Sequence, residues 1–557
     1  MQPTFHLFMD AIREHAHSIP DSNACIFQPR GLETAQHITY AQLYGAVSER
    51  AQLLVSLGYR DQPVALLYPT GFDFIINFLA CLLAGVAAVP LNVTRNAQQF
   101  ERTISIINNA NIKAILTTQS TKLLLAAQIT ELNSTACEGL TWVTEEDAVE
   151  VSAPLPTIEP TDTAFIQYTS GSTSAPKGVI VTHTNIVQNM EAIRVACNHQ
   201  RGVVVGGWLP QFHDMGLVGH MMHPLYMAGT YVFMPPMYFV QRPSRWLRLI
   251  SYYNISCSAA PNFGYEHCVN FIDEKENLSD IDLSCWKVAL NGSEPVCPQT
   301  IRAFSTKFSG YGFKPSSFFP SYGMAETTLL VSGGPPQQGL KTITLDKVKL
   351  SRGKVVQRTA GLEVVDCGHI GPDFRVKIVN PESKVECSQD EVGEIWIAGN
   401  CVAAGYLNNA EKTKGGFQAQ LLSDDGFQYL RTGDLGFVKN KSLYVTGRIK
   451  ELLIIRGRNF YPYDIERTFN NYQHANGING ASVFTYQHDS KIKLAAIVEI
   501  KKRVYNKLDH TEIQNDLRAL VSEHHEIAFD KLLIVKPGTI PKTTSGKVKR
   551  SACIELI

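Results

Sequence analysis

The chain has no excess of either charge. Its 51 Lys and Arg residues are matched by 51 Asp and Glu over 557 residues. That balance removes any general argument for nucleic acid or an anionic membrane as partner. A long apolar run is also missing. The longest, "FLACLLAGVAAVPL" (Phe78–Leu91), is too short to span a bilayer and is broken by Pro90. It is expected as a buried helix leading into a core strand, and no transmembrane segment is expected. The N-terminus "MQPTFHLFMD" lacks the basic and apolar regions of a signal peptide. Twelve cysteines occur without a CxxC pair, a pattern of reduced thiols in a cytoplasmic protein rather than of zinc or disulfides. Cys257, Cys268 and Cys285 are expected in the core. Fixed-period repeats and low-complexity tracts are absent too.

What remains is ordinary globular composition, 44% apolar and 18% charged, in a chain long enough for several structural units. The first half alternates helix and strand patterns. Thr39 and Gln42 have capping-box spacing, Leu43, Val47, Ala51 and Leu54 mark one helical face, and Gly58 follows. "VALLYP" (Val64–Pro69), "KAILTT" (Lys113–Thr118) and "GTYVFMP" (Gly229–Pro235) read as short buried strands. The alternation predicts an α/β unit with largely parallel sheets. After about residue 375, short strands and turns predict a smaller β-rich unit. Beyond Lys450 the pattern is α+β: a hairpin over Ala481–Ile500, a helix over Ile513–His524 and a strand "KLLIVK".

The stretch "YTSGSTSAPKGV" (Tyr168–Val179) resembles a phosphate-binding loop but does not match GxxxxGK[ST]. Thr169, Ser170, Gly171, Ser172 and Thr173 offer hydroxyls and accessible backbone N–H groups, and Lys177 adds a positive charge. A strand pattern precedes it; a second strand and a helix from about Thr184 follow. By itself the stretch reads equally well as a polar hairpin turn.

Five further segments stand in order along the chain: "NGSEPV" (Asn291–Val296), "SYGMAETT" (Ser321–Thr328), "YLRTGDLGF" (Tyr429–Phe437), "GRIKELLIIRG" (Gly447–Gly457) and "PKTTSGKVKR" (Pro541–Arg550). Together with the loop they resemble the adenylate-forming enzyme superfamily. The resemblance implies an α/β fold: a large N-terminal domain, residues 1–449, with two α/β sheet subdomains and a small β-rich one. A small mobile α+β domain, 450–557, would follow, with a hinge at Lys450.

The implied reaction is attack of a carboxylate on the α-phosphate of ATP, with release of pyrophosphate. The resemblance places the loop from Thr169 to Lys177 around the β- and γ-phosphates and Thr327 nearer the α-phosphate. Glu326 is implied as the Mg²⁺ ligand, a hard carboxylate for a hard cation. Tyr322, within Ser321, Gly323 and Met324, would stack on adenine, with Asn291, Gly292 and Ser293 on its other side. Asp434 would accept from both ribose hydroxyls, Arg448 would reach ribose or phosphate, and Lys547 would stabilise charge on the α-phosphate and attacking carboxylate. Each has a plainer reading: Glu326 as a first-turn helix residue, Asp434 as a turn former, Tyr322 as core, Lys547 as one charge in a solvated basic tail.

Two features resemble the fatty acyl-AMP ligases more than acyl-CoA ligases. One is "IRGRNFYPYDIE" (Ile455–Glu466). The other is about thirty extra residues near 335–366, which in that family are thought to restrain the small domain and disfavour the CoA-using step. Such an insertion also reads as a functionless surface hairpin. His213 matches a superfamily histidine near the acyl carboxylate; Gly216, Met221 and Met222 are candidates for an acyl pocket, or for core. Asp214 has no assigned role. The resemblance implies a medium- or long-chain fatty acid as substrate and ATP and Mg²⁺ as cofactors. The implied acceptor is the phosphopantetheine thiol of a separate acyl carrier protein or polyketide synthase. An acyl-CoA synthetase and an inactive nucleotide-binding regulatory protein are the alternatives.

Overall fold

The computed structural model describes residues 5–94, 97–131, 139–147, 153–169, 176–273, 275–455, 458–469, 472, 477–488, 491–507, 509–542 and 547–557. Ser170, Gly171, Ser172 and Thr173 of the hydroxyl-rich loop lie outside these residues.

The local signals explain the first elements. Thr39 caps the helix Tyr40–Ser56: its hydroxyl accepts from the Gln42 N–H at 3.3 Å, and Gln42 Oε1 accepts from the Thr39 N–H at 3.0 Å. The run Phe78–Leu91 divides into the end of a buried helix, Phe72–Ala84, and a fully buried strand, Ala87–Pro90. Gly85 between them has φ +65°, the left-handed value that ends a helix most easily with glycine.

Strands gather into two large sheets. One, of seven strands among the described residues, holds Pro63–Leu67, Ala87–Pro90 and Ala114–Thr117 in parallel. At one side it ends in the antiparallel pair Thr163–Thr169 and Lys177–Thr182, and then Gly405–Tyr406. The hydroxyl-rich loop is thus the connection of an antiparallel hairpin. The second sheet has a parallel half that includes Cys257–Ala260, Val288–Asn291 and Phe318–Gly323. Its other half is antiparallel, and includes Leu330–Gly333, Leu362–Ile370, Ser442–Arg448 and Leu430–Lys439. The β-rich unit expected after residue 375 therefore continues the parallel sheet. Phe318–Gly323 makes the join, parallel to one neighbour and antiparallel to the other.

The insertion is folded. Thr342–Leu345 pairs antiparallel with Leu362–Ile370, and a short helix, Lys347–Leu350, lies between. Leu345, Leu350, Val355 and Val364 pack against Phe437 and Tyr444, whose rings stack 4.9 Å apart. Beyond the turn Ile449–Glu451, a separate apolar core is built by the hairpin Ile478–His488 and Lys491–Ile500, the helix His510–His525 and the strand Lys531–Val535. Among the described residues no helix is long and apolar enough to cross a membrane. Cys257 and Cys268 are buried as expected, whereas Cys285 is partly exposed.

The segment after His213 winds as a π-helix, Met215–Met222. A Cβ on Gly216 would lie 2.1 Å from the Pro210 carbonyl oxygen, so only glycine fits that backbone approach. Gly216→Ala is therefore expected to cost about 3 kcal/mol or more of stability, read as a large fall in melting temperature by calorimetry. A variant that melted like the wild type but preferred a different acyl chain would put Gly216 in the acyl pocket instead.

Candidate active site

The carboxyl-terminal ends of the parallel strands open into a cleft of about 2530 Å³. Such ends are where open α/β sheets bind ligands. The cleft collects most of the residues singled out from sequence: Thr169, Lys177, His213, Ser293, Ser321, Tyr322, Gly323, Met324, Glu326, Asp434, Arg448, Lys450 and Lys547 all line it.

Asp434 is the most constrained of them. It is buried, and its Oδ2 accepts from the Tyr322 hydroxyl at 2.7 Å. Its Oδ1 accepts from Arg448 Nε at 2.5 Å. Asp434 and Arg448 face each other across adjacent antiparallel strands, so sheet register sets the pair. The Asp434 charge raises the pKa of the Arg448 guanidinium, and burial, then Asp434, pushes the Tyr322 hydroxyl up. Tyr322 also belongs to a buried cluster with Ala192 and Val331, so the ring is both core and cleft wall.

Glu326 sits in the tight turn Ala325–Thr327 and is mostly buried. Its Oε1 accepts from the Tyr406 hydroxyl at 2.9 Å. Lys177 Nζ lies 5.0 Å from the centre of the Tyr406 ring. Burial raises the Glu326 pKa, countered by Tyr406, Arg448 and Lys177. Burial and the neighbouring Lys450, Lys412 and Arg448 lower that of Lys177, while Glu326 raises it. The buried Glu326 carboxylate suits a cation that takes its other ligands from phosphate and water. Among the described residues no group of three or more His, Cys, Asp or Glu side chains has the arrangement of an all-protein metal cage.

His213 Nδ1 lies 2.6 Å from Asp214 Oδ1, and Asp214 also accepts from the Met215 N–H at 2.7 Å. Burial pushes the Asp214 carboxyl up, but His213, the backbone hydrogen bond and the charge of Lys547 together bring it down to about 2. Lys547 thus stands within electrostatic reach of the His213–Asp214 pair. Its segment is folded back rather than a solvated tail. The Lys549 N–H donates to the Pro541 carbonyl, and Arg550 is bound by Glu451 at 3.2 Å and Glu466 at 2.6 Å.

Other expected positions fall outside the cleft lining. Thr327 is fully buried, and its hydroxyl donates to the Met324 carbonyl at 2.9 Å, holding the turn that carries Glu326. Asn291 is buried behind the cleft, with Nδ2 3.4 Å from Asn262 Oδ1. A Cβ on Gly292 would meet Ser321 Oγ at 2.7 Å, so Gly292 lets those two strands' ends approach. Met221 and Met222 are fully buried in the main apolar core and line no part of the cleft, nor does Gly216.

Four residues of the site carry no readable signal in the sequence: Tyr406, Asp214, Arg550 and Glu294. Tyr406 stands in "AAGYLNN", which has no phosphate or metal pattern. Glu294 stands in "NGSEPV", where nothing local gives it a role. Its Oε1 accepts from the Phe263 N–H at 2.6 Å; burial pushes its pKa up to about 7, with Lys547 and Lys542 pulling the other way.

Known proteins share this architecture. Residues 12–407 match the AMP-binding enzyme family, and residues 450–556 match the family of the Disco-interacting protein 2-like AMP domain. JamA of Moorena producens, a medium-chain-fatty-acid–[acyl-carrier-protein] ligase, is 34% identical over 99% of this chain and 95% of its own length. FadD26 of Mycobacterium tuberculosis, a long-chain-fatty-acid–AMP ligase, is 34% identical over 98% and 96%. A crystal structure of a fatty acyl-adenylate ligase from L. pneumophila, in complex with acyl adenylate and pyrophosphate, is 33% identical with a TM-score of 0.77. The match covers 99% of this chain and 96% of that one.

Glu294 provides a pH test. Its raised pKa favours the protonated form in the folded state, so its contribution is fully present below about pH 4.5 and is lost as pH rises through about 7. Glu294→Gln is expected to remove that loss, gaining about 1–2 kcal/mol at pH 8 relative to pH 5 in denaturant titrations. Equal stability changes at both pH values would contradict the assignment.

Motif order, cleft geometry and overall similarity agree: the chain belongs to the AMP-binding, adenylate-forming enzymes, within the group that holds the fatty acyl-AMP ligases.

Proposed function

We propose that this protein joins a medium- or long-chain fatty acid to ATP, giving fatty acyl-AMP and pyrophosphate, and passes the acyl group to the phosphopantetheine thiol of a separate acyl carrier protein. The observation that supports it most is the meeting, in one cleft, of Lys547 with the His213–Asp214 pair on one side and Glu326, Asp434 and Arg448 on the other. In the adenylation step two anions approach each other, so the chain's work is charge neutralisation and positioning. His213, held by Asp214, would orient the fatty carboxylate. Lys547 would sit between that carboxylate and the α-phosphate and stabilise the charge that develops there. Lys177, with the hydroxyl-rich loop from Thr169 to Thr173, would hold the outgoing phosphates. The Asp434 carboxylate would exchange its present partners for the ribose hydroxyls, with Tyr322 against adenine. A Mg²⁺ ion bound with ATP would be held by Glu326, and would neutralise phosphate charge.

The division of labour along the chain follows the same reading. Residues 1–449 form the ATP- and acyl-binding domain, and residues 450–557 a small domain that hinges near Lys450 and delivers Lys547. The insertion ties the two together. Lys347 Nζ donates to the His524 carbonyl at 2.5 Å, and the Asn459 N–H donates to the Ser351 carbonyl at 3.1 Å. Those bonds would hold the small domain in the adenylating position and disfavour the CoA-using step. Retention of Glu326, Asp434 and Lys547 speaks against an inactive regulatory protein. The unpaired cysteines support a cytoplasmic location.

Lys547→Ala is expected to slow acyl-AMP formation about a hundredfold or more while leaving ATP affinity nearly unchanged. Equal loss of both would mean that Lys547 holds ATP rather than the reacting centre. Asp434→Ala is expected to weaken ATP binding about tenfold or more, because the ribose loses its acceptor; an unchanged affinity by calorimetry would remove Asp434 from the nucleotide site.

A further inference from the structure

Residues 400–407 form a strap between the two large sheets. The Asn185 side-chain amide donates to the Asn400 carbonyl at 2.8 Å and to the Val402 carbonyl at 3.0 Å. The Ala403 N–H donates to the Glu326 carbonyl at 3.0 Å. The Ala404 and Leu407 N–H groups donate to the Ile180 and Gly178 carbonyls at 2.9 and 2.8 Å. One short segment is thus stitched both to the turn that carries Glu326 and to the strand that begins at Lys177.

Tyr406 stands near the end of the strap, and its ring is fixed from behind. Its N–H donates to Thr413 Oγ1 at 2.9 Å, and the ring meets Phe417 edge-on, with centres 5.0 Å apart. Both partners belong to the helix Ala410–Phe417. The ring then serves two opposite charges of the cleft. Its hydroxyl donates to Glu326 Oε1 at 2.9 Å, and Lys177 Nζ lies over the ring, 5.0 Å from its centre. Lys177 and Glu326 are within electrostatic reach of each other, yet among the described residues no ion pair joins them.

A carboxylate and an ammonium withdrawn from water attract strongly and close on each other unless each has another partner. Tyr406 is a partner to both and cancels neither charge. The phenolic O–H satisfies a carboxylate lone pair, and the electron-rich ring face attracts the ammonium. We propose that Tyr406 is a positioning residue that keeps Lys177 and Glu326 from pairing, so that the ammonium stays available to the phosphates of ATP and the carboxylate to a divalent cation. The inference rests on the ATP-using reading of the cleft and adds to it a residue that would touch neither ligand. An ion pair between Lys177 and Glu326 would spend both charges before ATP arrived.

The test is calorimetric titration of the full chain with ATP in excess EDTA, so that Lys177 is read without a metal. Tyr406→Leu is expected to weaken ATP binding about tenfold or more, because Glu326 then takes Lys177 as its partner. In a Glu326→Gln background Lys177 has no carboxylate there to pair with. The same leucine substitution is then expected to cost less than about threefold. An equal loss in both backgrounds would mean that Tyr406 only supports the fold, and would overturn the positioning role. So would an ATP affinity that ignores the leucine substitution in the presence of Glu326. Should the leucine chain fail to fold, the nearly isosteric Tyr406→Phe carries the same comparison. It keeps the ring face and loses the hydroxyl, and is expected to weaken ATP about threefold only where Glu326 is present; the same loss in both backgrounds would again overturn the role. A wild-type chain that bound no ATP would sink the ATP-using reading and the role of Tyr406 together, whereas binding that ignores Tyr406 would sink that role alone.

Discussion

The buried carboxylate of Asp434 is the joint on which the site turns. It holds the Tyr322 hydroxyl, from the last parallel strand of the large sheet, and the Arg448 guanidinium, from the antiparallel half. A charge that far from water is stable only when both of its oxygens are served, so the two halves of the sheet are fixed relative to each other at the cleft. Arg448 immediately precedes the turn Ile449–Glu451, where the chain enters the carboxyl-terminal unit. The interaction that orders this wall of the cleft thus stands directly beside that turn. In the proposed reaction the ribose hydroxyls would take over the same oxygens, without the carboxylate having to be desolvated again.

Around that joint several carboxylates of the cleft stand near cations from distant parts of the chain. Glu326 is near Lys177 and Arg448, Asp214 near Lys547, and Glu466 is bound by Arg550. Bringing Lys547 to the cleft depends on the carboxyl-terminal segment folding back, and Arg550 secures it against Glu451 and Glu466. The insertion adds two hydrogen bonds to this arrangement from outside, through Lys347 and Ser351. Its own position is fixed by burying Leu345, Leu350 and Val355 against Phe437 and Tyr444, on the strands that carry Asp434 and Arg448.

Much of this is legible in the residues. Capping at Thr39, the helix-to-strand break at Gly85, the hairpin near residues 481–500 and the helix near 513–524 all follow from local chemistry. The cleft-lining positions Lys177, Tyr322, Glu326, Asp434 and Lys547 are found because their segments stand in order. Composition alone leaves each with a plain alternative. What is not legible depends on long-range packing. The joining of the β-rich strands to the parallel sheet is a matter of tertiary pairing. Met221 and Met222, which the sequence leaves open between pocket and core, lie in the core on the π-helix after His213. Tyr406 reaches Glu326 only because its short strand pairs with the one that starts at Lys177.

A chain that makes an acyl adenylate and holds it for a carrier thiol can be caught with that product. The full chain is incubated with ATP, Mg²⁺ and dodecanoic acid, with and without CoA, and the products are resolved by mass. Acyl-AMP that accumulates and is unchanged by CoA is the predicted result. Efficient conversion to acyl-CoA would contradict the claim, and would mean that the bonds from Lys347 and Ser351 do not restrain the small domain.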